Sequence, residues 1–293
     1  MQRRSFLGAI GCIPALALSA ASSNAVYAAQ PKSTKGKVGS QGRRVGIAFG
    51  GGSIHGMAHV GVLKALSEKG LHFQFIAGTS AGAVIGVLAA AQIPYGEIHE
   101  IANRIEWPGL MDISWSGKGL LQLTDLRSLI DASLANRRLE QLPITFGAIA
   151  TDVATGERVV IRKGPAGAAV SASCSIPVMF APVKIDGREL VDGGLTEPVP
   201  VIAVREMGAD IVIGVDVAFR PREERVQGFT GVAFQTMQIM ANALIKEQIP
   251  RADVVIRMNL HRLIGSANSH EQLHAAGYAA TMREWPKIAT ILS

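Results

Sequence analysis

Short apolar runs alternate with helical patterns along the first part of the chain. Residues 43–49 and 71–77 are brief, mostly apolar runs and predict buried strands. Apolar side chains recur at helical spacing over 55–70, and residues 81–92 are apolar on nearly every face, which predicts an amphipathic and a buried helix. A strand–helix–strand unit of this kind is nearly always right-handed, and its two strands usually lie parallel.

The alternation continues to the end of the chain, apart from residues 104–123, which show no clear period. Residues 267–280 are interpreted as the end of a surface helix. Further helices are predicted over 124–135, 164–176, 199–208 and 231–248, further strands within 144–164, 209–217 and 252–260, and a hairpin over 181–195. We therefore predict a three-layer α/β/α sandwich with a mostly parallel central sheet, built as one domain from residues 43–293.

The N-terminus has the three-part layout of an export signal. Arg3 and Arg4 precede an uncharged apolar run and then small residues, so we expect a signal over 1–28 and a flexible linker over 29–42. The start resembles a twin-arginine signal, and the general secretory route remains open. Either route predicts a periplasmic or secreted protein, and a retained anchor helix is the alternative.

The composition is that of a globular protein, since 48% of the 293 residues are hydrophobic and the mean hydropathy is +0.26. Without the predicted signal, which holds Arg3 and Arg4 and no acidic residue, the net charge of +6 falls to +4, a mild excess that allows contact with an anionic membrane surface. The sequence has no basic patch interleaved with aromatic residues, so nucleic-acid binding is not expected. Beyond the predicted signal Cys174 is the one cysteine, which excludes an internal disulfide, and its small neighbours indicate a packing residue rather than a nucleophile.

The loop after the first strand, FGGGSIHG, does not match a nucleotide-binding loop. Gly50, Gly52 and Gly56 have the spacing G-x-G-x-x-x-G, whereas a dinucleotide fingerprint needs G-x-G-x-x-G. Met57 stands where a P-loop needs lysine. The loop therefore requires another explanation.

The second loop, Gly78-Thr79-Ser80-Ala81-Gly82, matches the G-x-S-x-G nucleophile elbow. A strand is predicted before it and a helix after it, as that motif requires. Gly78 and Gly82 would let the strand and the helix approach closely while Ser80 is held clear of the sheet. The alternative is an ordinary turn in which Ser80 caps the helix.

Both loops are expected at the same edge of the sheet, because they follow neighbouring parallel strands. The backbone N–H groups of Gly51, Gly52 and Ser53 can then lie beside Ser80. Paired amides next to a raised hydroxyl form an oxyanion hole. Ser80 is therefore predicted to be a nucleophile, and the first loop its oxyanion clamp.

A serine nucleophile needs a general base. His261, His270 and His274 follow it in the chain but do not come after a core strand, where such a base normally lies. His55 and His59 lie on the first predicted helix. All five histidines are interpreted as solvated or capping residues.

Asp192 offers another base, because it ends a predicted strand and precedes two glycines. Such a turn can bring its carboxylate to a neighbouring loop, and burial would raise its basicity. A plain Asp-Gly-Gly turn is the alternative.

The glycine loop, the elbow, residues 171–183 (SASCSIPVMFAPV) and 192–194 (DGG), in that order, resemble the patatin-like phospholipase family, especially its compact bacterial members. The resemblance extends over residues 43–260. It implies a Ser80–Asp192 dyad, with no histidine, metal or cofactor in the chemistry. It also implies an oxyanion hole framed by Gly50, Gly51 and Gly52.

One position departs from the pattern of that family. The family usually has arginine or lysine just before the last glycine of the first loop, and this chain has His55 before Gly56. We expect both residues to support the loop, with the preference for a phospholipid over a simple ester left open.

These features predict a serine lipid acyl hydrolase of phospholipase A or lysophospholipase type, which cleaves carboxylic esters through an acyl-enzyme. Its partners would be a lipid or another acyl ester and a membrane surface. Trp107 and Trp115 would contact lipid or pack in the core. A general carboxylesterase or thioesterase and a non-catalytic lipid-binding protein are the alternatives.

Overall fold

The computed structural model describes residues 42–105, 123–220, 228–258, 260 and 269–293. The predictions for residues 1–41, Trp107, Trp115 and His261 lie outside these ranges. The strands are β1 (Val45–Phe49), β2 (Phe75–Thr79), β3 (Thr145–Asp152), β4 (Arg158–Ile161), β5 (Val183–Ile185), β6 (Arg188–Asp192), β7 (Ile211–Asp216) and β8 (Val254–Arg257). The helices are α1 (Met57–Glu68), α2 (Ala81–Ala90), α3 (Tyr95–Arg104), α4 (Thr124–Ser133), α5 (Ala166–Ser173), α6 (Val201–Glu206), α7 (Gly228–Gln248) and α8 (Ser269–Leu292).

The described strands form one sheet in the order β5-β6-β3-β2-β1-β7-β8, with β4 also paired to β3. The five strands from β3 to β8 in this order are parallel, whereas β4 and β6 run antiparallel to β3. Phe49 at the end of β1 pairs with Gly78 on one side and Val215 on the other. The loops after β1, β2 and β7 therefore leave the sheet at the same edge.

Helices cover both faces of the sheet, which confirms the predicted three-layer sandwich. Ile47 and Phe49 point into the larger core, which also holds buried side chains of α1, α2, α5 and α8. Ala48 points the other way, into a second core that contains α6 and Ile245 of α7. The strict alternation along β1 is that of a strand buried on both faces.

Two helices differ from the sequence prediction. No helix was predicted over α3, which follows Pro94 and buries Ile98 and Ile101. The predicted end of a surface helix at 267–280 is the start of α8, a 24-residue helix that packs along α1.

Two facing glycines explain how closely α8 approaches α1. A Cβ atom added to Gly61 would lie 1.9 Å from the carbonyl oxygen of His274, and one added to Gly277 would lie 1.9 Å from that of Ala58. Backbones can come this close only where neither helix carries a side chain. The glycines lie far apart in the chain, so the local pattern does not predict their pairing.

Candidate active site

Ser80 lies at a sharp turn between the end of β2 and the start of α2. Its backbone has φ 52° and ψ −123°, a conformation that a residue with a side chain rarely adopts. A Cβ atom at Gly78 would lie 2.3 Å from the Gly82 carbonyl oxygen, and one at Gly82 would lie 2.1 Å from that of Phe49. The predicted elbow thus has the required local geometry, because only glycine allows both close approaches.

The backbone and hydroxyl of Ser80 contact the segment that ends α5. The Ser80 N–H donates to Ser173 Oγ at 2.9 Å. The Ser80 hydroxyl also interacts with the thiol of Cys174, whose pKa is raised well above its usual value because the thiol is buried. Cys174 is therefore protonated and packs against the turn, in agreement with its predicted packing role.

The glycine loop passes beside Ser80, as predicted. A Cβ atom at Gly51 would lie 3.4 Å from Ser80 Cβ. The Gly50 N–H donates to Val215 O at 3.0 Å, and the Gly51 N–H donates to Pro198 O at 2.9 Å. Within the described residues, the Gly52 and Ser53 amides have no such acceptor, and both residues line the cleft beside Ser80.

Two of the loop N–H groups already donate to backbone carbonyls, which limits the loop residues that can bind a substrate oxygen. Gly50 and Gly51 were predicted to help form an oxyanion hole, but their N–H groups already serve backbone carbonyls. A substrate oxygen could accept from either N–H only if its present bond broke. The predicted role is therefore narrowed to the amides of Gly52 and Ser53, for which it stays a prediction.

Asp192 is the last residue of β6 and caps the short 3-10 helix Gly193–Leu195. Its carboxylate accepts a hydrogen bond from the Gly194 N–H at 2.7 Å. Burial raises the pKa of Asp192 to about 6, and hydrogen bonds from Gly194 and from the Ser80 hydroxyl offset part of that rise. The structure therefore brings Ser80 and Asp192 together, and no salt bridge to Asp192 is found in the ranges described.

The two side chains face one cleft whose other lining is almost entirely apolar. Helix α7 provides one wall of the cleft with four side chains. The cleft holds about 590 Å³ of empty space, part of it open to solvent. The lining consists of Gly51, Gly52, Ser53, Ser80, Ile176, Pro177, Asp192, Gly194, Leu195, Pro198, Ala218, Phe234, Met237, Gln238 and Ala241.

The sequence match to a family model agrees with this geometry. The model of the patatin-like phospholipases matches residues 47–205, which include the glycine loop, the elbow and Asp192. The chain belongs to the patatin-like phospholipase family. The resemblance predicted from the ordered motifs is thus confirmed.

Relatives of this patatin-like chain include bacterial and fungal proteins. An uncharacterized NTE family protein of Mycobacterium tuberculosis is 37% identical over 188 residues, which are 61% of this chain and 50% of that protein. A lysophospholipase of Kluyveromyces lactis is 31% identical over 182 residues, 60% of this chain and 13% of that protein. The match thus spans only half the length of the mycobacterial relative.

A solved structure has a similar fold. The crystal structure of VipD from Legionella pneumophila superposes with a TM-score of 0.50 and 15% sequence identity. The superposition covers 82% of this chain and 66% of that one. At this identity the similarity shows that the patatin-like fold is shared.

Two histidines near the cleft are neither solvated nor helix caps, so that interpretation was wrong for them. His55 is buried, its Nδ1 donates to Val217 O at 2.9 Å, and its ring stacks on Phe219. His59 is fully buried, and its Nε2 donates to Gly50 O at 2.8 Å. Both rings therefore bind the backbone at the sheet edge. The loop-supporting role of His55 stays a prediction.

The other described histidine candidates lie elsewhere. His270 Nδ1 is 3.2 Å from the Asn103 side chain, and His274 Nε2 is 2.6 Å from the Tyr95 hydroxyl, so both bind side chains of α3. No histidine in the described ranges lines the cleft. Among the described residues, Asp192 is thus the candidate base of this patatin-like site.

Neither a membrane-spanning helix nor a metal cluster is found in the described part of the chain. No helix there is both long enough and apolar enough to cross a bilayer. The same residues contain no group of three or more histidine, cysteine, aspartate or glutamate side chains that could hold a metal ion. Asp192 is the one ionisable side chain among the described residues that line the cleft.

Proposed function

We propose that this protein is a serine hydrolase that cleaves carboxylic esters of lipids, in the manner of a lysophospholipase or phospholipase A. The observation that carries the proposal is the contact of the strained Ser80 with the buried Asp192 in an apolar cleft. A carboxylate with a raised pKa beside a presented hydroxyl can accept its proton. Membership of the patatin-like phospholipase family and the similarity to a yeast lysophospholipase support a lipid ester as the substrate.

In the first half of the proposed reaction, Asp192 accepts the Ser80 proton while Oγ bonds to the ester carbonyl carbon. The electrons of the carbonyl double bond move onto its oxygen. When the tetrahedral intermediate collapses, the bond to the alkoxy oxygen breaks, and that oxygen takes the proton from Asp192 and leaves as the alcohol. The acyl group remains on Ser80 as an ester.

In the second half, water attacks the acyl-enzyme. Asp192 accepts one proton of the water while the water oxygen bonds to the acyl carbon. Collapse of this second intermediate breaks the bond to Ser80 Oγ, which recovers the proton from Asp192. The fatty acid is released, and both side chains return to their starting states.

The negative oxygen of each intermediate would be bound by the amides of Gly52 and Ser53. Both residues line the cleft, whereas the N–H groups of Gly50 and Gly51 already donate to backbone carbonyls. The N-terminus of α2, directly after Ser80, adds a partial positive charge at the same place. Removing one donor from such a hole typically lowers kcat by about 100- to 1,000-fold.

The proposal is tested by changing Ser80→Ala in the full chain. We expect kcat/KM for p-nitrophenyl butyrate and for lysophosphatidylcholine micelles to fall at least about 1,000-fold, since the nucleophile is lost. The circular dichroism spectrum should not change. A fluorophosphonate probe should label Ser80 of the parent protein, as read by mass spectrometry of the modified peptide.

The matched control is the double change His270→Gln and His274→Gln, which should retain most of the activity because both side chains bind α3. A Ser80→Ala protein that hydrolyses the butyrate ester at the parent rate would contradict the proposal. A parent protein that cleaves monomeric ester but not micellar lipid would identify a general esterase instead.

Contact with a lipid surface is part of the proposal. The face of α7 opposite the cleft exposes Phe229, Val232, Ile239 and Met240, and large exposed apolar side chains of this kind suit a lipid interface. Co-sedimentation of the inactive Ser80→Ala protein with liposomes tests this contact. Protein that stays in the supernatant at every lipid concentration would rule it out.

We also propose that residues 1–28 direct export to the periplasm or the medium. The charged start, the apolar run and the small residues that follow support this role. N-terminal sequencing of the protein recovered from fractionated cells tests it. An uncleaved protein found in the cytoplasm would contradict it.

A further inference from the structure

The backbone of the glycine loop is held by bonds from several directions. The Gly50 N–H donates to the main-chain carbonyl of Val215, and the Gly51 N–H donates to that of Pro198. The Gly52 carbonyl accepts from the His55 N–H at 2.9 Å. The Gly50 carbonyl accepts from a side chain, His59 Nε2, at 2.8 Å.

The bond from His59 fixes a single peptide plane. The Gly50 carbonyl and the Gly51 N–H belong to the same planar peptide unit. His59 holds one side of this unit, and Pro198 O holds the other at 2.9 Å. A peptide held on both sides cannot rotate, so His59 and Pro198 fix the position from which the chain continues to the Gly52 amide.

The surroundings of His59 match a directed hydrogen bond. The ring is fully buried and packs edge-on against Phe49, with 5.0 Å between ring centroids. A carbonyl oxygen only accepts, so Nε2 carries the proton. Nδ1 has no hydrogen-bond partner among the described residues. A buried nitrogen without a partner costs free energy that an apolar side chain would avoid, which points to a role for the remaining bond.

We infer that His59 is a positioning residue, which orients the glycine loop so that its cleft-facing amides meet the substrate oxygen. The inference rests on the proposed function, because it concerns the same site. His59 acts through Gly50 and is not among the described residues that line the cleft. A histidine thus serves this reaction through its N–H donor, while a carboxylate takes the proton.

The test compares His59→Leu and His59→Gln with the parent full chain, using p-nitrophenyl butyrate. We expect His59→Leu to lower kcat about 100-fold and to leave KM within about two-fold, because misdirected donors affect the transition state more than the bound ester. A trifluoromethyl ketone, whose adduct carries the oxyanion, should lose a similar factor in affinity. In His59→Gln the side-chain N–H can reach Gly50 O, so kcat should be about ten-fold higher than in His59→Leu.

Two further readouts separate this role from that of a base or a merely structural residue. The midpoint of the kcat profile against pH should stay the same in His59→Gln, since His59 does not transfer the proton. His274→Leu, which removes another hydrogen-bonded histidine remote from the loop, should keep kcat within about two-fold. If His59→Leu does not fold, His59→Gln is compared with His59→Asn, whose amide is one carbon too short to reach Gly50.

The inference is overturned if kcat of His59→Leu stays within about three-fold of the parent, or if KM rises as much as kcat falls. Equal kcat values in His59→Gln and His59→Asn, or a shifted pH midpoint, also contradict it. A parent protein that cleaves no ester and takes no fluorophosphonate label contradicts the proposed function together with the inference. If the parent protein is active and His59→Leu has nearly the same kcat, the inference alone is contradicted.

Discussion

Two buried carboxylates lie at the two ends of the turn that follows β6, and their surroundings differ. Asp192, at the start, accepts one backbone N–H and contacts the Ser80 hydroxyl. Glu197, at the other end, accepts from the N–H groups of Ile202 and Ala203 at 2.7 and 2.9 Å. Its second oxygen binds Arg158 at 2.7 Å.

Burial by itself does not distinguish a base from a structural carboxylate. It raises the pKa of Asp192 and also that of Glu197. The oxygens of Glu197 are occupied by the first turn of α6 and by a guanidinium, so they have little capacity for a new proton. Asp192 lines the cleft and has capacity left to accept a proton, which supports the proton transfer proposed for it.

The largest expected effect is on activity when the charge of Asp192 is removed. Asp192→Asn keeps the shape of the side chain but cannot accept the Ser80 proton, so kcat for p-nitrophenyl butyrate should fall about 1,000-fold or more. Asp186→Asn, which changes an exposed carboxylate in the same hairpin, is the control and should leave kcat unchanged. An Asp192→Asn protein with parental kcat would remove the distinction between the two carboxylates.

The next effect is on stability when Glu197 is changed. Glu197→Gln leaves Arg158 without one partner but with Glu206, which binds it at 2.6 Å. We expect the free energy of unfolding in urea to fall by about 2 to 3 kcal/mol, less than for a fully buried pair because Arg158 is partly exposed. The kcat of the folded protein should stay within about two-fold. A large loss of kcat without loss of stability would make Glu197 part of the chemistry.

A smaller effect of opposite sign is expected for the stability of Asp192→Asn. The folded pKa of about 6 exceeds the ordinary value of 3.8, so the folded state binds more protons between these pH values, and parental stability falls as pH rises through them. The amide has no charge to bury. The variant should therefore gain about 1 to 2 kcal/mol over the parent above pH 6, below the roughly 3 kcal/mol that two pKa units allow, because the amide accepts weaker hydrogen bonds.

Chemical denaturation of both proteins at about pH 4 and about pH 7.5 measures this gain, since other groups titrate alike in the two chains. The difference in unfolding free energy should be small at the lower pH and larger at the higher one. A variant less stable than the parent at the higher pH would mean that the Asp192 charge is stabilised in the fold.

The elbow and the sandwich could be predicted from the sequence because their signals are local. Five consecutive residues, 78–82, predict the turn, and the alternation of apolar runs with helical patterns predicts the layers of helices and sheet. Asp192 was predicted as a base from its place before two glycines and from the ordered motifs. The extent of its burial, which raises its pKa to about 6, depends on distant segments and could not be predicted.

The roles of the other polar residues depend on long-range contacts. His55 binds Val217 across 162 positions, and Glu197 binds Arg158 across 39. Whether a glycine amide is available depends on Val215 and Pro198, about 150 positions away. No spacing near these residues contains that information, so histidines that are buried and bonded were interpreted as solvated or capping residues.

The most direct test of the central claim, that Asp192 is the base for Ser80, is the rate at which a fluorophosphonate labels Ser80 as a function of pH. We expect the rate to rise through a single ionisation with a midpoint near the Asp192 pKa of about 6. In Asp192→Asn the rate should be low and independent of pH over the same range. The same midpoint in both proteins, or a label on a residue other than Ser80, would contradict the account.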